Sequence, residues 1–196
     1  MSARRLTRSL QALALVALVL GCSKSTAPRK PITLNVTLNG FSWPISATNV
    51  APFPSGTGCA TYPAVWRQTG LVMTGTSTGL GAASMSVAHC NSSTSAAGVL
   101  TSISVDGAGT MTVANGDQAA FTYSLGSFQV VSATVLNAVF PLTFTGGTGQ
   151  FLRTTGTGTM TCVRTTPVDP TTLPAHSPAF ANAYACTMNS VINPTP

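Results

Sequence analysis

Residues 144–162 read FTGGTGQFLRTTGTGTMTC, a stretch of glycine-rich turns leading into an alternating strand. Gly146, Gly147 and Gly149 crowd one short span, and glycine there signals a tight turn because it reaches positive φ without a Cβ clash. Phe151-Leu152 follows as an apolar pair expected to be buried. Gly156 reads as a second turn, and the residues up to Cys162 alternate small and apolar side chains as a strand does. The stretch predicts sheet, entered and left through corners.

The rest of the chain uses the same idiom. Ile32 to Leu38 (ITLNVTL) alternates apolar or β-branched with polar residues, Asn39-Gly40 has the chemistry of a two-residue hairpin turn, and Phe41-Ser42-Trp43 resumes the alternation. Further strands are expected over Gly70–Thr78, Ala83–Cys90, Val99–Asp106, Met111–Ala114, Ala119–Leu125, Phe128–Leu136 and Phe140–Phe144, with turns at Gly79–Gly81 and Asn115–Asp117. No segment longer than about ten residues keeps a 3.6-residue period. Ala179–Ala185 fits a helical turn or a strand equally, and Thr165–Pro178, with four prolines, reads as irregular. Gly107-Ala-Gly-Thr-Met-Thr-Val echoes Gly156-Thr-Gly-Thr-Met-Thr-Cys, each a Gly-x-Gly corner leading a strand whose Met faces inward. Repeated corners in an antiparallel sheet suit a closed barrel, which leaves no exposed edge. The fold class is therefore all-β, a small antiparallel β-barrel, in one domain over residues 32–196.

Only 6% of the residues are charged and 44% are hydrophobic, so the chain can bury a core. The net charge of +6 comes from the N-terminus. From Pro31 onward Arg67, Arg153 and Arg164 balance Asp106, Asp117 and Asp169. A nucleic-acid reader needs a basic face to neutralise phosphates, so no nucleic-acid partner is expected.

Met1 to Arg8 carries three arginines, and Leu10 to Leu20 is an apolar run. That is the pattern of an export signal, and the run is too short for a span of about 20 residues. It ends in Val19-Leu20-Gly21-Cys22, which resembles the bacterial lipobox. The resemblance implies a signal peptide over 1–21, acylation of Cys22 (palmitate among its acyl chains), and a membrane partner reached through that lipid. Ser23 after the cysteine implies, by the same resemblance, an outer-membrane lipoprotein of the cell envelope, facing the periplasm or the cell surface. Residues 22–31 then form the lipidated terminus and a polar, Pro-containing tether.

Gly107 to Gly126 (GAGTMTVANGDQAAFTYSLG) and Phe144 to Thr161 (FTGGTGQFLRTTGTGTMT) together resemble a pattern in small secreted bacterial proteins, which are similar in turn to the allene oxide cyclase and dirigent β-barrels. The resemblance spans about residues 70–164 and implies a barrel. Gln150 stands where that pattern commonly has Arg, and the acidic, aromatic and arginine groups inside the plant barrels are not carried over to positions of this chain.

Cys59, Cys90, Cys162 and Cys186 remain as an even set once Cys22 is set aside, and in an exported chain disulfides are their default. Three pairings exist; Cys59–Cys90 with Cys162–Cys186 is favoured, since each closes a moderate loop and ties a less regular segment to a strand. Zinc is not expected: His89 adjoins Cys90, but no Cys-x-x-Cys or His-x-x-x-His spacing shapes a site. Gly75-Thr76-Ser77-Thr78-Gly79 matches the hydrolase nucleophile pattern, but strands rather than a helix follow it. Asp106 and Asp117 read as turn residues. Neither a catalytic residue nor a cofactor is expected. Trp43, Tyr62, Trp66 and Arg67, with Arg153, are the candidate ligand contacts, by stacking or as rim groups. With no Glu, three Asp and two His, the domain is poor in acid–base groups. The expected function is a non-catalytic envelope lipoprotein, structural or binding a small apolar molecule. The alternatives are a cyclase- or isomerase-like barrel that shapes a reactive substrate, and a surface adhesin holding a glycan.

Overall fold

The structure, a computed structural model, describes residues 30–44, 59, 67–96, 99–130, 136–167 and 182–195. These form eight strands: β1 (Ile32–Pro44), β2 (Arg67–Ser77), β3 (Gly81–Ala96), β4 (Val99–Val113), β5 (Gln118–Val130), β6 (Leu136–Gly147), β7 (Thr154–Pro167) and β8 (Asn182–Pro194). A single 3-10 turn, Gly149–Phe151, lies between β6 and β7. Each strand pairs antiparallel with the next, and β8 returns to β1, so the sheet closes into a barrel without an edge.

The period-2 pattern sets which face is which. In β1, Leu34, Val36 and Leu38 are buried, while Thr33, Asn35, Thr37 and Asn39 are exposed. The same holds elsewhere: Thr74, Thr76, Thr143, Thr157, Thr159, Thr187 and Asn189 face water. Apolar inside and polar outside is the reverse of a transmembrane barrel, whose lipid face must be apolar. Met73, Met85, Met111, Met160 and Met188 fill the interior with Phe121, Phe140, Phe144 and Phe151. Unbranched thioethers adapt to the uneven gaps that bulky rings leave in a small barrel.

The strands are steeply inclined, as closure requires. Ladder partners followed around the barrel run Arg164, Tyr184, Gly40, Met73, Met85, Met111, Ala119, Gly147, so a path that starts at one rim arrives at the other.

One end is plugged. Phe151, on the 3-10 turn, is fully buried beneath a knot of two sequence motifs. Asp117 Oδ2 accepts the Gln150 N–H (3.0 Å) and the Asn115 side-chain amide (2.9 Å), while the Thr148 N–H donates to Gln118 O and the Gln118 N–H to Thr148 Oγ1. The Asn-Gly-Asp turn and the Gly-rich turn are thus one structural device, which absorbs Asp117 as a turn carboxylate.

Several local expectations change. β1 runs straight through Asn39-Gly40, so there is no opening hairpin. Gly40 pairs with Met73 across β2, and a Cβ there would lie 2.0 Å from Val72 O; the glycine serves close strand approach rather than a turn. Gly156 likewise lies within β7. Of the Phe151-Leu152 pair only Phe151 is buried, and Leu152 is 53% exposed. Val99–Asp106 and Met111–Ala114 belong to one strand, β4, continuous through Gly107. Ala183–Ala185 are strand.

Both favoured disulfides are present. Cys162 and Cys186 are cross-strand partners on β7 and β8, buried in the core. Cys90 bonds to Cys59 from the other side of the wall: it is buried but stands outside the core cluster that its neighbours Val87 and Met85 join.

Candidate functional site at the far end of the barrel

The interior changes character along its length. The plugged half is mainly hydrocarbon and thioether, with Ser77, Thr154 and Ser190 buried among it. Towards the far end the inward positions become Ser42, His89, Asn91, Ser104, Tyr123, Arg164 and Tyr184, set among Phe128, Phe140 and the Cys162–Cys186 bridge.

Two bulges create this arrangement. The β3–β4 register shifts between Ala88 and Cys90, where β4 carries an extra residue, and Asp106 takes φ 50°. The bulge reverses the alternation of β4, so Met111, Gly109 and Gly107 point inward on one side of it and Ser104 on the other. On β5 a second shift, between Thr122 and Ser127, turns Gly126 and Phe128 inward in the same way. Gly107 opposes Tyr123, and a Cβ at Gly107 would lie 2.0 Å from the phenol ring; the missing side chain is the space in which Tyr123 lies.

Tyr123 reaches His89, 34 residues earlier, with 2.5 Å between the hydroxyl and Nδ1. Burial lowers the His89 pKa from 6.5 to about 4 and raises that of Tyr123 well above 10. The imidazole is therefore neutral and the phenol protonated, and the hydroxyl donates to Nδ1. The pair is walled by Phe140, stacked on His89 at 6.1 Å and tilted against Tyr123 at 5.0 Å, with Phe128 edge-on behind. Nearer the rim, Asn91 Nδ2 donates to Ser104 Oγ at 3.2 Å. Arg164 and Tyr184 are cross-strand partners, both half-buried; burial raises the Tyr184 pKa and the Arg164 charge opposes that rise.

This constellation can hold a polar group against aromatic walls. It is poorly tuned for proton transfer near neutral pH, since an imidazole of pKa about 4 is a weak base and a phenol raised above 10 a weak acid.

Of the anticipated contacts, Trp43 is the penultimate residue of β1, opposite Gly70, and Arg67 opens β2 opposite Asn91, both at the far end. Arg153 is exposed at the plugged end, with φ 54° and its carbonyl accepting from Thr195, so it stands apart from them. Tyr62 and Trp66 lie outside the described residues, as do Cys22, the leader, and the tether up to Arg29. Ser77 is buried at the plugged end of β2, on a strand. Among the described residues no cluster of His, Cys, Asp or Glu could hold a metal ion. Sequence reasoning passed over Tyr123, Ser104, Arg164 and Tyr184, and weighed His89 only as a zinc ligand. The available signal was phase: His89 and Asn91 continue the inward alternation of Met85 and Val87, and Arg164 that of Met160 and Cys162.

No family model, curated protein or solved structure matches the chain.

Proposed function

We propose that this is a non-catalytic lipoprotein of the bacterial cell envelope, held at the outer membrane through Cys22, whose barrel takes a small, largely apolar molecule at its far end. The carrying observation is the interior gradient. Apolar packing and the Phe151 plug close one end, whereas the other gathers Asn91, Ser104, Arg164 and Tyr184 around aromatic rings. Small-molecule sites in barrels are apolar with a few convergent polar groups, which is this composition. The leader and Cys22 support the envelope assignment. Native mass spectrometry of the mature, oxidised chain tests the binding role: a co-purified small molecule lost on unfolding is expected, and bare protein from several preparations counts against it. Replacing Cys22→Ala is expected to release the protein from membranes; retention there would sink the anchor.

A second reading, a cyclase- or isomerase-like barrel, has one observation in its favour, the sequestered His89–Tyr123 pair. It requires that Tyr123→Phe abolish a conversion of the bound molecule while leaving its binding intact.

A further inference from the structure

We propose that the plugged end of the barrel is a seat for an anionic lipid surface, with Leu152 as its apolar tip and Arg153 and Lys30 as its charges. Leu152 is 53% exposed on the turn that caps the barrel, although its neighbour Phe151 is fully buried. Arg153 is exposed beside it, in a left-handed conformation (φ 54°). Its carbonyl accepts the Thr195 N–H at 2.7 Å, which fixes the turn to the end of β8. Lys30 borders the same end: with Ile32, Gly149, Gln150 and Pro194 it lines a shallow hollow of about 470 Å³. An apolar side chain flanked by cations at a protein's tip is the chemistry of interfacial binding, in which the apolar group enters the headgroup boundary and the cations meet anionic lipid.

Two further observations select this occupant. Among the described residues the side-chain carboxylate at this end, Asp117, turns Oδ2 into the knot to hold Gln150 N–H and the Asn115 amide. The chain also enters β1 here, because Ile32 pairs with Ile192 beside the hollow. On the proposed Cys22 anchor, this is the end of the barrel from which the chain leaves towards the membrane.

The test separates this seat from the acyl anchor. The probe protein is the mature chain begun at Ser23, which has no cysteine to acylate but retains every described strand and both disulfides. It is floated with vesicles of phosphatidylethanolamine and phosphatidylglycerol, and with vesicles of phosphatidylcholine alone. Binding to the anionic vesicles, absent from the neutral ones and reversed by salt, is expected. Arg153→Asn keeps a residue that tolerates positive φ and is expected to weaken binding roughly fivefold, the effect of one basic residue at a charged membrane. Leu152→Ser is expected to weaken it further. Leu125→Ser, which removes an equally exposed apolar residue (50%) on β5, is expected to change nothing. Failure to float with either vesicle, equal binding to both, or indifference to Leu152→Ser and Arg153→Asn would each overturn the proposal without touching the Cys22 anchor.

Discussion

His89 makes folding stability depend on pH in a way that can be calculated. Its pKa is 6.5 in the unfolded chain and about 4 in the barrel, because burial disfavours the imidazolium. The unfolded state therefore binds the extra proton between these values, and stability is full above pH 6.5 and falls as the pH drops towards 4. The shift of about 2.5 units corresponds to a loss of about 3 kcal/mol by pH 4, of which about 2 kcal/mol is gone at pH 5. For a domain of this size that is a fall in Tm of roughly 4–8 °C at pH 5. Urea unfolding of the oxidised protein from pH 7.5 to pH 4.5 measures it directly, and the background is low because the chain has three Asp, no Glu and one other histidine, His176. His89→Gln should flatten the dependence, while His176→Asn should preserve it. A wild-type stability unchanged between pH 7 and pH 5, or an unaltered slope in His89→Gln, would refute the claim that His89 is buried neutral against Tyr123.

Three other perturbations follow from the packing. Asp117→Ala removes the acceptor of the Gln150 N–H and should cost about 1–3 kcal/mol in urea unfolding, with Asp117→Asn costing less because one oxygen remains. Gly107→Ala places a methyl where the Tyr123 ring lies and should destabilise by about 1–3 kcal/mol; combining it with Tyr123→Ala should recover part of that loss, since both changes act on one contact. The paired change Cys162→Ala and Cys186→Ala opens a loop whose ends are 24 residues apart and should cost about 3.5 kcal/mol by chain entropy, measured as the shift in urea midpoint at constant slope.

What was legible in the sequence was phase within uninterrupted strands. ITLNVTL announces its buried face without help, and the inward Met111 and Met160 follow from the same alternation. The hairpin at Asn39-Gly40 went wrong because turn chemistry and close strand approach both ask for glycine, and only the facing Met73 distinguishes them. The far-end cluster was hidden by the bulges. One extra residue at Asp106 reverses the phase of β4, so Ser104 reads as an outward position until the register is known. The His89–Tyr123 contact joins strands that are not sequential neighbours, reaching over Gly107 of the intervening β4, and no local pattern encodes it. The two glycine motifs, which looked like separate signatures, are two halves of one hydrogen-bonded plug.

The seam between β1 and β8 also governs how the protein must come into being. Ile32 waits for Ile192, so the earliest of the eight strands in the chain is the last to find its second neighbour. Until Asn182–Pro194 arrives, β1 and β7 each present an unpaired row of backbone donors and acceptors, on a polypeptide with very few charges to discourage pairing with another copy. Loss of the 13-residue β8 would thus leave two sticky edges where the closed barrel has none, and with them a substrate for aggregation or proteolysis. Closure of the sheet, and with it the removal of both edges, rests on this one strand.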